Sequence, residues 1–389
     1  MKHKKAMTGS DAAAEAMRQV NPDVVACYPI TPQTPIMHKF AHFVAEGVVN
    51  TEFVTVESEH SAMSCCVGAS AAGGRVMTAT SANGLALMFE IVYIASSDRL
   101  PIVMNVVNRA LSGPINIHCD HSDTMGCRDT GWIQSYSENA EEVYENTIIA
   151  VKLSEEVLLP AMVCQDGFIT SHAVESMHVL DDKTVRDFIG EYKPLYPLLD
   201  TKNPVTSGPL DFFDYYFEHK MQQIDAMSKV IPKFKKIVEE FGKLIGKKID
   251  VVEEYFLEDA DYVIVALNST AGTIKHTVDL LRKKGQRVGA LKVRLFRPFP
   301  KEEILGWLKD KKAIAVLDRA ASFGNVGPLY HEIRSALYDS PHNPKIVSYI
   351  YGLGGRDITV DHIIQVFEEI EHGKAKDENF LGVRDEDGS

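Results

Sequence analysis

An α/β protein of two doubly wound parallel-sheet domains is what the sequence predicts, on three observations. Residues 52–107 run strand, helix, strand, helix, strand in short segments, an alternation that gives parallel strands, right-handed crossovers and helices on both faces. The same alternation returns over residues 259–371. Between them, residues 179–258 lose the rhythm, first in a proline-rich stretch and then in a long amphipathic helix, and the 389-residue chain is long enough for two cores. The expected organisation is one α/β domain over 1–178, an arm and long helix over 179–258, a second α/β domain over 259–373, and a polar tail over 374–389 that is mobile or draped on a neighbour.

Taken in order, residues 10–19 read as an alanine-rich helix opened by Ser10 or Asp11, and the apolar run 23–27 as a strand. Tyr28-Pro29-Ile30-Thr31-Pro32-Gln33-Thr34-Pro35 follows, and its three prolines bar both helix interior and central strand, so it reads as a stiff extended loop. A loop at a strand's C-terminal end stands at the crevice where open α/β sheets bind ligands, although such a loop alone is more often a connector. Strands at 52–56, 75–80 and 100–107 alternate with helices at 58–72 and 84–96, which puts the segments 78–83 (TATSAN) and 108–113 (NRALSG) on the same sheet edge. After Gly113 the chain is polar, until a helix at 139–154 and a strand at 158–164 close the domain. The stretch 211–247 carries Phe217, Met221, Ile224, Ile231, Phe234 and Phe241 at helical spacing, broken or kinked near Pro232, and core packing is its plainer use. The second domain reads as strands at 262–267, 288–293, 313–317 and 345–349 with helices at 272–284, 301–308, 328–338 and 360–371.

Composition narrows the function classes. Apolar residues are 45% and charged residues 24%, as in an ordinary globular protein, and the net charge of −13 argues against nucleic acid or an anionic membrane surface as partner. The basic opening MKHKKAM lacks the apolar core of a signal peptide and no run reaches transmembrane length, so a cytoplasmic location is expected. Six cysteines, Cys27, Cys65, Cys66, Cys119, Cys127 and Cys164, fall in the first half without a CxxC pair, so they read as reduced and mostly buried, and any iron–sulfur chemistry belongs to another chain. His118, Asp120, His121 and Asp123 crowd one polar stretch. Their spacing fits no helical ligand pair, so no metal is assigned and hydrogen bonds that order the loop are the plainer use. The glycine loops at 268–273 (NSTAGT) and 352–357 (GLGGRD) lack both phosphate-binding fingerprints and are better explained as tight strand-to-helix turns.

Glu59 is the residue left to explain. It stands where a strand becomes a helix, followed by small residues such as Ala62, Ser64 and Gly68 that let the helix lie close to a neighbour. Taken alone, an acid in a helix's first turn offsets the dipole and caps free N–H groups.

The motifs YPITPQT (28–34), VESEHSAM (56–63), TATSANGLALM (78–88), NRALSGPINI (108–117), RDTGWIQ (128–134) and VRLFRPFP (293–300), with AVLDR (315–319) and GLGGRD, change that balance. Together they resemble the α subunit, or the matching fused region, of the 2-oxoacid:ferredoxin oxidoreductases, most closely the pyruvate enzymes, over nearly the whole chain. The resemblance implies a thiamine diphosphate pyrimidine-binding domain followed by a transketolase C-terminal-like domain. It further implies an enzyme that decarboxylates a 2-oxoacid, sends electrons singly through iron–sulfur clusters to ferredoxin and passes the acyl group to coenzyme A. Thiamine diphosphate would be shared with a β subunit that holds the diphosphate, its Mg²⁺ and the nearest [4Fe-4S] cluster, with γ and δ subunits or their fusion completing the complex.

Residue by residue, Glu59 matches the glutamate at the aminopyrimidine, where a carboxylate supports the imino tautomer that takes the thiazolium C2 proton. Thr31 and Arg109 match the threonine and arginine at the substrate carboxylate, the arginine through a planar fork that lysine lacks. Pro29 and Asn83 are placed with the cofactor, Asn83 at a position that is commonly glutamine. Oxalate-acting members carry arginine where Thr31 stands, which argues against oxalate, and SGPINI looks more like the pyruvate type than the branched-chain type. The implied activity is conversion of pyruvate to acetyl-CoA and CO₂ with ferredoxin as acceptor, or the reverse. The alternatives are the same chemistry on 2-oxobutyrate or 2-oxoisovalerate, and a non-catalytic scaffold of the same fold; retention of Glu59, Thr31 and Arg109 weighs against the scaffold.

Overall fold

The computed structural model describes residues 2–340 and 342–384. Its larger sheet has seven strands in the order Leu295–Arg297, Ile133–Ser137, Ala161–Asp166, Val103–Asn108, Val76–Thr80, Val24–Cys27 and Glu52–Thr55, all parallel except Leu295–Arg297. Its smaller sheet has six, Glu378–Leu381, Lys345–Tyr351, Ala313–Asp318, Tyr262–Ala266, Val288–Val293 and Val252–Tyr255, parallel except for the last. The inner strands Val103–Asn108, Ala161–Asp166 and Ala313–Asp318 are buried along their whole length, as strands covered by helices on both faces must be. This is an α/β fold of two parallel-dominated sheets, as the alternating pattern predicts.

Several elements depart from the sequence expectation, each for a local reason. The first helix is Gly9–Val20, and its cap is Thr8 rather than Ser10 or Asp11: the Asp11 N–H donates to Thr8 Oγ1 at 3.0 Å while the Asp11 carboxylate reaches back to the Thr8 N–H. Pro35 belongs not to an extended loop but to the first turn of helix Thr34–Ala45, where its missing N–H has no partner to lose. The helix expected at 84–96 begins at Ala82 and is interrupted at Met88, giving Ala82–Leu87 and Phe89–Ser97. The long amphipathic stretch divides at Lys229 into Tyr216–Ser228 and Val230–Ile245, with Pro232 in the first turn of the second helix.

Residues 179–206 are not wholly an arm, because Lys2–Met7 pairs antiparallel with Glu175–Leu180 and helix Asp182–Ile189 follows. The tail is likewise corrected. Glu378–Leu381 adds an edge strand beside Lys345–Tyr351, and Asn379 Nδ2 donates to the Ser348 carbonyl at 3.0 Å. Residues 385–389 of that tail lie outside the described residues.

The two sheets are stitched together. Leu295–Arg297 leaves the second half of the chain to pair antiparallel with Ile133–Ser137, so residues beyond 259 complete the first sheet's edge. Beside it, Glu142 on helix Ala140–Val157 accepts from Lys292 Nζ and Arg294 Nη2, each at 2.6 Å, and Glu138 and Glu253 join the cluster through Lys292. Burial works against ionising Glu142, but the Arg294 and Lys292 charges outweigh it and hold the carboxyl far below its usual range. All six cysteines are free, Cys65 half-buried and the others buried. Among the described residues no helix is long and apolar enough to cross a membrane.

Candidate active site

The C-terminal ends of Val24–Cys27, Glu52–Thr55, Val76–Thr80 and Val103–Asn108 bring the singled-out residues to one edge of the larger sheet. Glu59 opens helix Glu59–Ala72, but the cap is its neighbour: Ser58 Oγ accepts from the Ser61 N–H at 3.2 Å. The Glu59 side chain is 7% exposed, and its carboxylate has no hydrogen bond or ion pair among the described residues. The residue is buried, yet its carboxylate oxygens are not among the fully enclosed, unpartnered atoms, so the carboxylate opens onto accessible space at this edge with no group of the chain to meet it. Gly84 gives it room. A Cβ there would stand 2.8 Å from Glu59 Oε1 and 2.5 Å from Thr80 Oγ1, so that any larger residue would push these side chains aside. Thr80 Oγ1 and Ser81 Oγ, both fully buried on the same edge, also lack partners.

The proline loop is tied to this edge by Gln33, which is fully buried. Its Nε2 donates to the Ala79 carbonyl at 3.0 Å and its Oε1 accepts from the Ile30 N–H at 3.3 Å. Pro29 and Thr31 stand exposed on the loop. Arg109, 7% exposed, follows strand Val103–Asn108 and holds the loop from the other side, Nη1 donating to the Thr31 carbonyl and Nε to the Asn116 carbonyl, both at 2.9 Å. Its Nη2 makes no hydrogen bond among the described residues, so one donor of the fork is left over. Asn83 turns to the loop after Arg109, its Oδ1 accepting from Ser112 N and Oγ at 3.2 and 3.1 Å. Thr31 and Arg109 are thus joined directly, Glu59 and Thr80 flank Gly84, and Asn83 acts as a clamp on the loop after Arg109 through Ser112.

Asp123 positions these parts. Its Oδ2 accepts from the backbone N–H of Ala82 and of Arg109, each at 3.0 Å, and its Oδ1 from Asn108 Nδ2 at 2.9 Å and the Thr124 N–H at 2.7 Å. Burial pushes the Asp123 carboxyl up to about 6 against the pull of these four donors. Ala82 is held at φ 37°, a left-handed conformation uncommon for alanine, and the Asp123 bond to its N–H fixes it there.

The four polar residues of the 118–123 stretch go separate ways. Asp120 accepts from Ser122 N at 3.0 Å and from the Gly354 N–H at 3.2 Å, His118 packs on the Phe168 ring, and His121 Nε2 lies 2.8 Å from Asp166 Oδ1. Asp166 is the hub of a second, buried network. Its Oδ1 also accepts from Asn268 Nδ2 at 2.9 Å and Cys119 Sγ at 3.2 Å, and its Oδ2 from Ser269 and from Arg319 Nη1 at 3.3 Å. Cys119, His121 and Asp166 therefore stand within reach of one another, with Asp166 committed to hydrogen bonds. Both glycine loops serve here as braces. The NSTAGT turn gives Asn268 and Ser269 to Asp166, and in GLGGRD the Gly354 carbonyl accepts from Asn116 Nδ2 at 3.0 Å.

Gln33, Thr80, Gly84, Asp123 and Asp166 were not singled out by sequence reasoning as site residues. Gln33, Thr80 and Gly84 lie inside motifs already marked, so the signal was present at segment level. Asp123 reads from the sequence as part of a polar loop ordered by hydrogen bonds, without a role at the site, and Asp166 ends a strand as any turn aspartate does.

Two family models match the chain. Residues 15–239 match "Pyruvate flavodoxin/ferredoxin oxidoreductase, thiamine diP-bdg" and residues 260–363 match "Pyruvate:ferredoxin oxidoreductase core domain II". The chain is 59% identical over 384 residues to pyruvate synthase subunit PorA of Thermotoga maritima, covering 98% of both chains. It is 46% identical over 378 residues to ketoisovalerate oxidoreductase subunit VorA of Pyrococcus abyssi, covering 95% of both. Among solved structures it shares its fold with 2-oxoglutarate:ferredoxin oxidoreductase from Magnetococcus marinus, at TM-score 0.72 and 22% identity, over 94% of this chain and 65% of that one. With a thiamine diphosphate-binding family domain over more than half its length, the chain belongs to the pyruvate flavodoxin/ferredoxin oxidoreductase family.

Proposed function

We propose that this chain is the α-type catalytic subunit of a thiamine diphosphate-dependent pyruvate:ferredoxin oxidoreductase, holding the pyrimidine end of the cofactor and the carboxylate of the substrate. The observation that carries the reading is Glu59, a buried carboxylate with no partner of its own, beside a glycine that keeps the space in front of it clear. An aminopyrimidine offers what such a group lacks, a ring nitrogen and an amine that exchange protons with a carboxylate. Gly84 suits the same guest, as an open cradle in front of the carboxylate.

When bound, thiamine diphosphate supplies the nucleophilic carbon that 2-oxoacid decarboxylation needs. Glu59 holds and releases a proton at the pyrimidine ring nitrogen. Arg109 orients the substrate. Two of its nitrogens are fixed on the Thr31 and Asn116 carbonyls, so Nη2 and the Thr31 hydroxyl are left to meet a carboxylate. Asp123 fixes the backbones of Ala82 and Arg109 and so sets the spacing between the two halves of the site.

The site is half of a composite one. The chain has no diphosphate-binding fingerprint and no cysteine pair at cluster spacing, which supports a β subunit that holds the diphosphate, Mg²⁺ and the proximal [4Fe-4S] cluster. γ and δ subunits or their fusion, ferredoxin, coenzyme A and a cytoplasmic location complete the reading. Leu87, Phe89, Tyr93 and Ile94, 39–52% exposed just after Gly84, give that β subunit an apolar face to cover.

Reconstitution with the partner chains and a panel of pyruvate, 2-oxobutyrate and 2-oxoisovalerate tests this by coenzyme A-dependent dye reduction. Pyruvate should lead the panel in kcat/KM, with full dependence on thiamine diphosphate; turnover without the cofactor, or none in the assembled complex, contradicts it. The VorA relative at 46% identity favours one second reading, a branched-chain 2-oxoacid, under which 2-oxoisovalerate leads instead.

A further inference from the structure

Thr80 ends strand Val76–Thr80 with its side chain fully buried, and its Oγ1 has no hydrogen-bond partner. A buried strand threonine normally satisfies its hydroxyl on a neighbouring carbonyl. Thr78, two residues earlier, does so, donating to the Ala26 carbonyl at 2.7 Å. Thr80 instead faces Gly84, and Glu59 faces the same spot: the point where a Gly84 Cβ would stand is 2.5 Å from Thr80 Oγ1 and 2.8 Å from Glu59 Oε1. A donor without an acceptor and an acceptor without a donor thus flank one glycine.

We propose that Thr80 is a positioning residue for Glu59, its hydroxyl donating to Oε1 so that the other carboxylate oxygen is turned toward the ligand, and that position 84 must be glycine for the two to meet. The proposal rests on reading Glu59 as the carboxylate that meets the pyrimidine. Thr80 Oγ1 and Glu59 Oε1 border the same point at Gly84, and no other group among the described residues holds Oγ1 or the carboxylate back. A hydroxyl bound to one oxygen fixes the plane of the carboxylate, and proton transfer depends steeply on that orientation. Threonine is suited to the task, since its branched side chain has few rotamers to lose.

The test uses the assembled complex carrying Thr80→Val, which keeps the shape and loses the hydroxyl, and Thr80→Ser, which keeps the hydroxyl. Two quantities are read: hydrogen–deuterium exchange at C2 of bound thiamine diphosphate, by NMR after acid quench, and thiamine diphosphate affinity, by calorimetry. Loss of one hydrogen bond to a charged group should slow exchange about tenfold in Thr80→Val while affinity changes less than about threefold. Thr80→Ser should recover exchange to within about threefold of the parent, and Thr80→Ala, which makes no demand on space, should show the same slowing as Thr80→Val. Unchanged exchange in Thr80→Val and Thr80→Ala, or a Thr80→Ser as slow as Thr80→Val, overturns the proposal. A parent complex that binds no thiamine diphosphate, or a Glu59→Gln complex that exchanges at the parent rate, overturns the functional reading beneath it; slow Glu59→Gln beside normal Thr80→Val sinks the role of Thr80 alone.

Discussion

Glu59 and Asp166 are acids buried at the C-terminal edge of the same sheet, 7% and 0% exposed, in opposite surroundings. Asp166 receives hydrogen bonds from Cys119, Asn268, Ser269 and Arg319 and lies against His121. Although burial works the other way, the Arg319 and His121 groups hold its carboxyl far below the usual range. Glu59 receives nothing. The first acid is spent on joining the two sheets, and the second is left for something the chain itself does not supply. The glycine loops follow the same division. Those of the second sheet, which by shape invite an anion at a helix N-terminus, already hold side chains of the first: Asp166 at the turn before helix Thr270–Arg282 and Asp120 at Gly354. A doubly wound sheet offers a crevice, and which crevice binds is decided by which polar groups are already satisfied.

The sharpest way to break the comparison is to delete each acid and follow thermal unfolding. Asp166→Ala strands Arg319 in the core and should cost about 3–5 kcal/mol, whereas Glu59→Gln should stay within about 0.5 kcal/mol of the parent. Equal losses would mean that Glu59 is as structural as Asp166. Acid should act on the braced side. Glu253, against an opposing effect of burial, is brought from its ordinary 4.5 to about 2 by Lys292 and Lys275, and Glu142 and Asp166 are lowered too. The native state binds protons at these groups less tightly than the unfolded chain, so their contribution is complete above the ordinary carboxylate range and is lost as pH falls from about 5 toward 2. The melting temperature should therefore fall progressively once the pH drops below about 5 and go on falling toward pH 2, and a flat profile would remove the cluster from the stability of the joint.

On the open side the effects are kinetic. Arg109→Lys keeps the charge but loses the fork that holds the Thr31 and Asn116 carbonyls, so KM for pyruvate should rise about tenfold or more with cofactor affinity retained. Unchanged kinetics would take Arg109 out of the site. The smallest change is expected from Asn83→Ala, which frees Ser112 at the rim: a loss of about 1 kcal/mol, read as a fewfold rise in KM, with no change at all meaning that residues 109–118 hold without the clamp.

Much of this was legible in the sequence because periodicity and packing agree. The strands at 262–266, 288–293 and 313–318 are buried on both faces and read as apolar runs. Ile133–Ser137 did not, since Gln134, Ser135 and Ser137 are buried polar residues whose partners, the Thr124 and Met162 carbonyls and Asn146, come from elsewhere in the chain. Lys2–Met7 hid as a basic leader, and charge is what an exposed two-stranded edge carries. In the site, Glu59, Thr31 and Arg109 were marked by motif. Asp123 is marked only as part of a polar loop and Asp166 not at all, because their importance lies in long-range hydrogen bonds, which no local pattern records.

The central claim is that Glu59 is free in this chain because it serves a bound pyrimidine. Glu59→Gln in the assembled complex, with turnover on pyruvate and thermal unfolding measured on the same preparation, tests it most directly. Turnover should fall about 100-fold or more with the melting temperature unchanged; near-parental turnover, or a fall that merely tracks a lost fold, would contradict it.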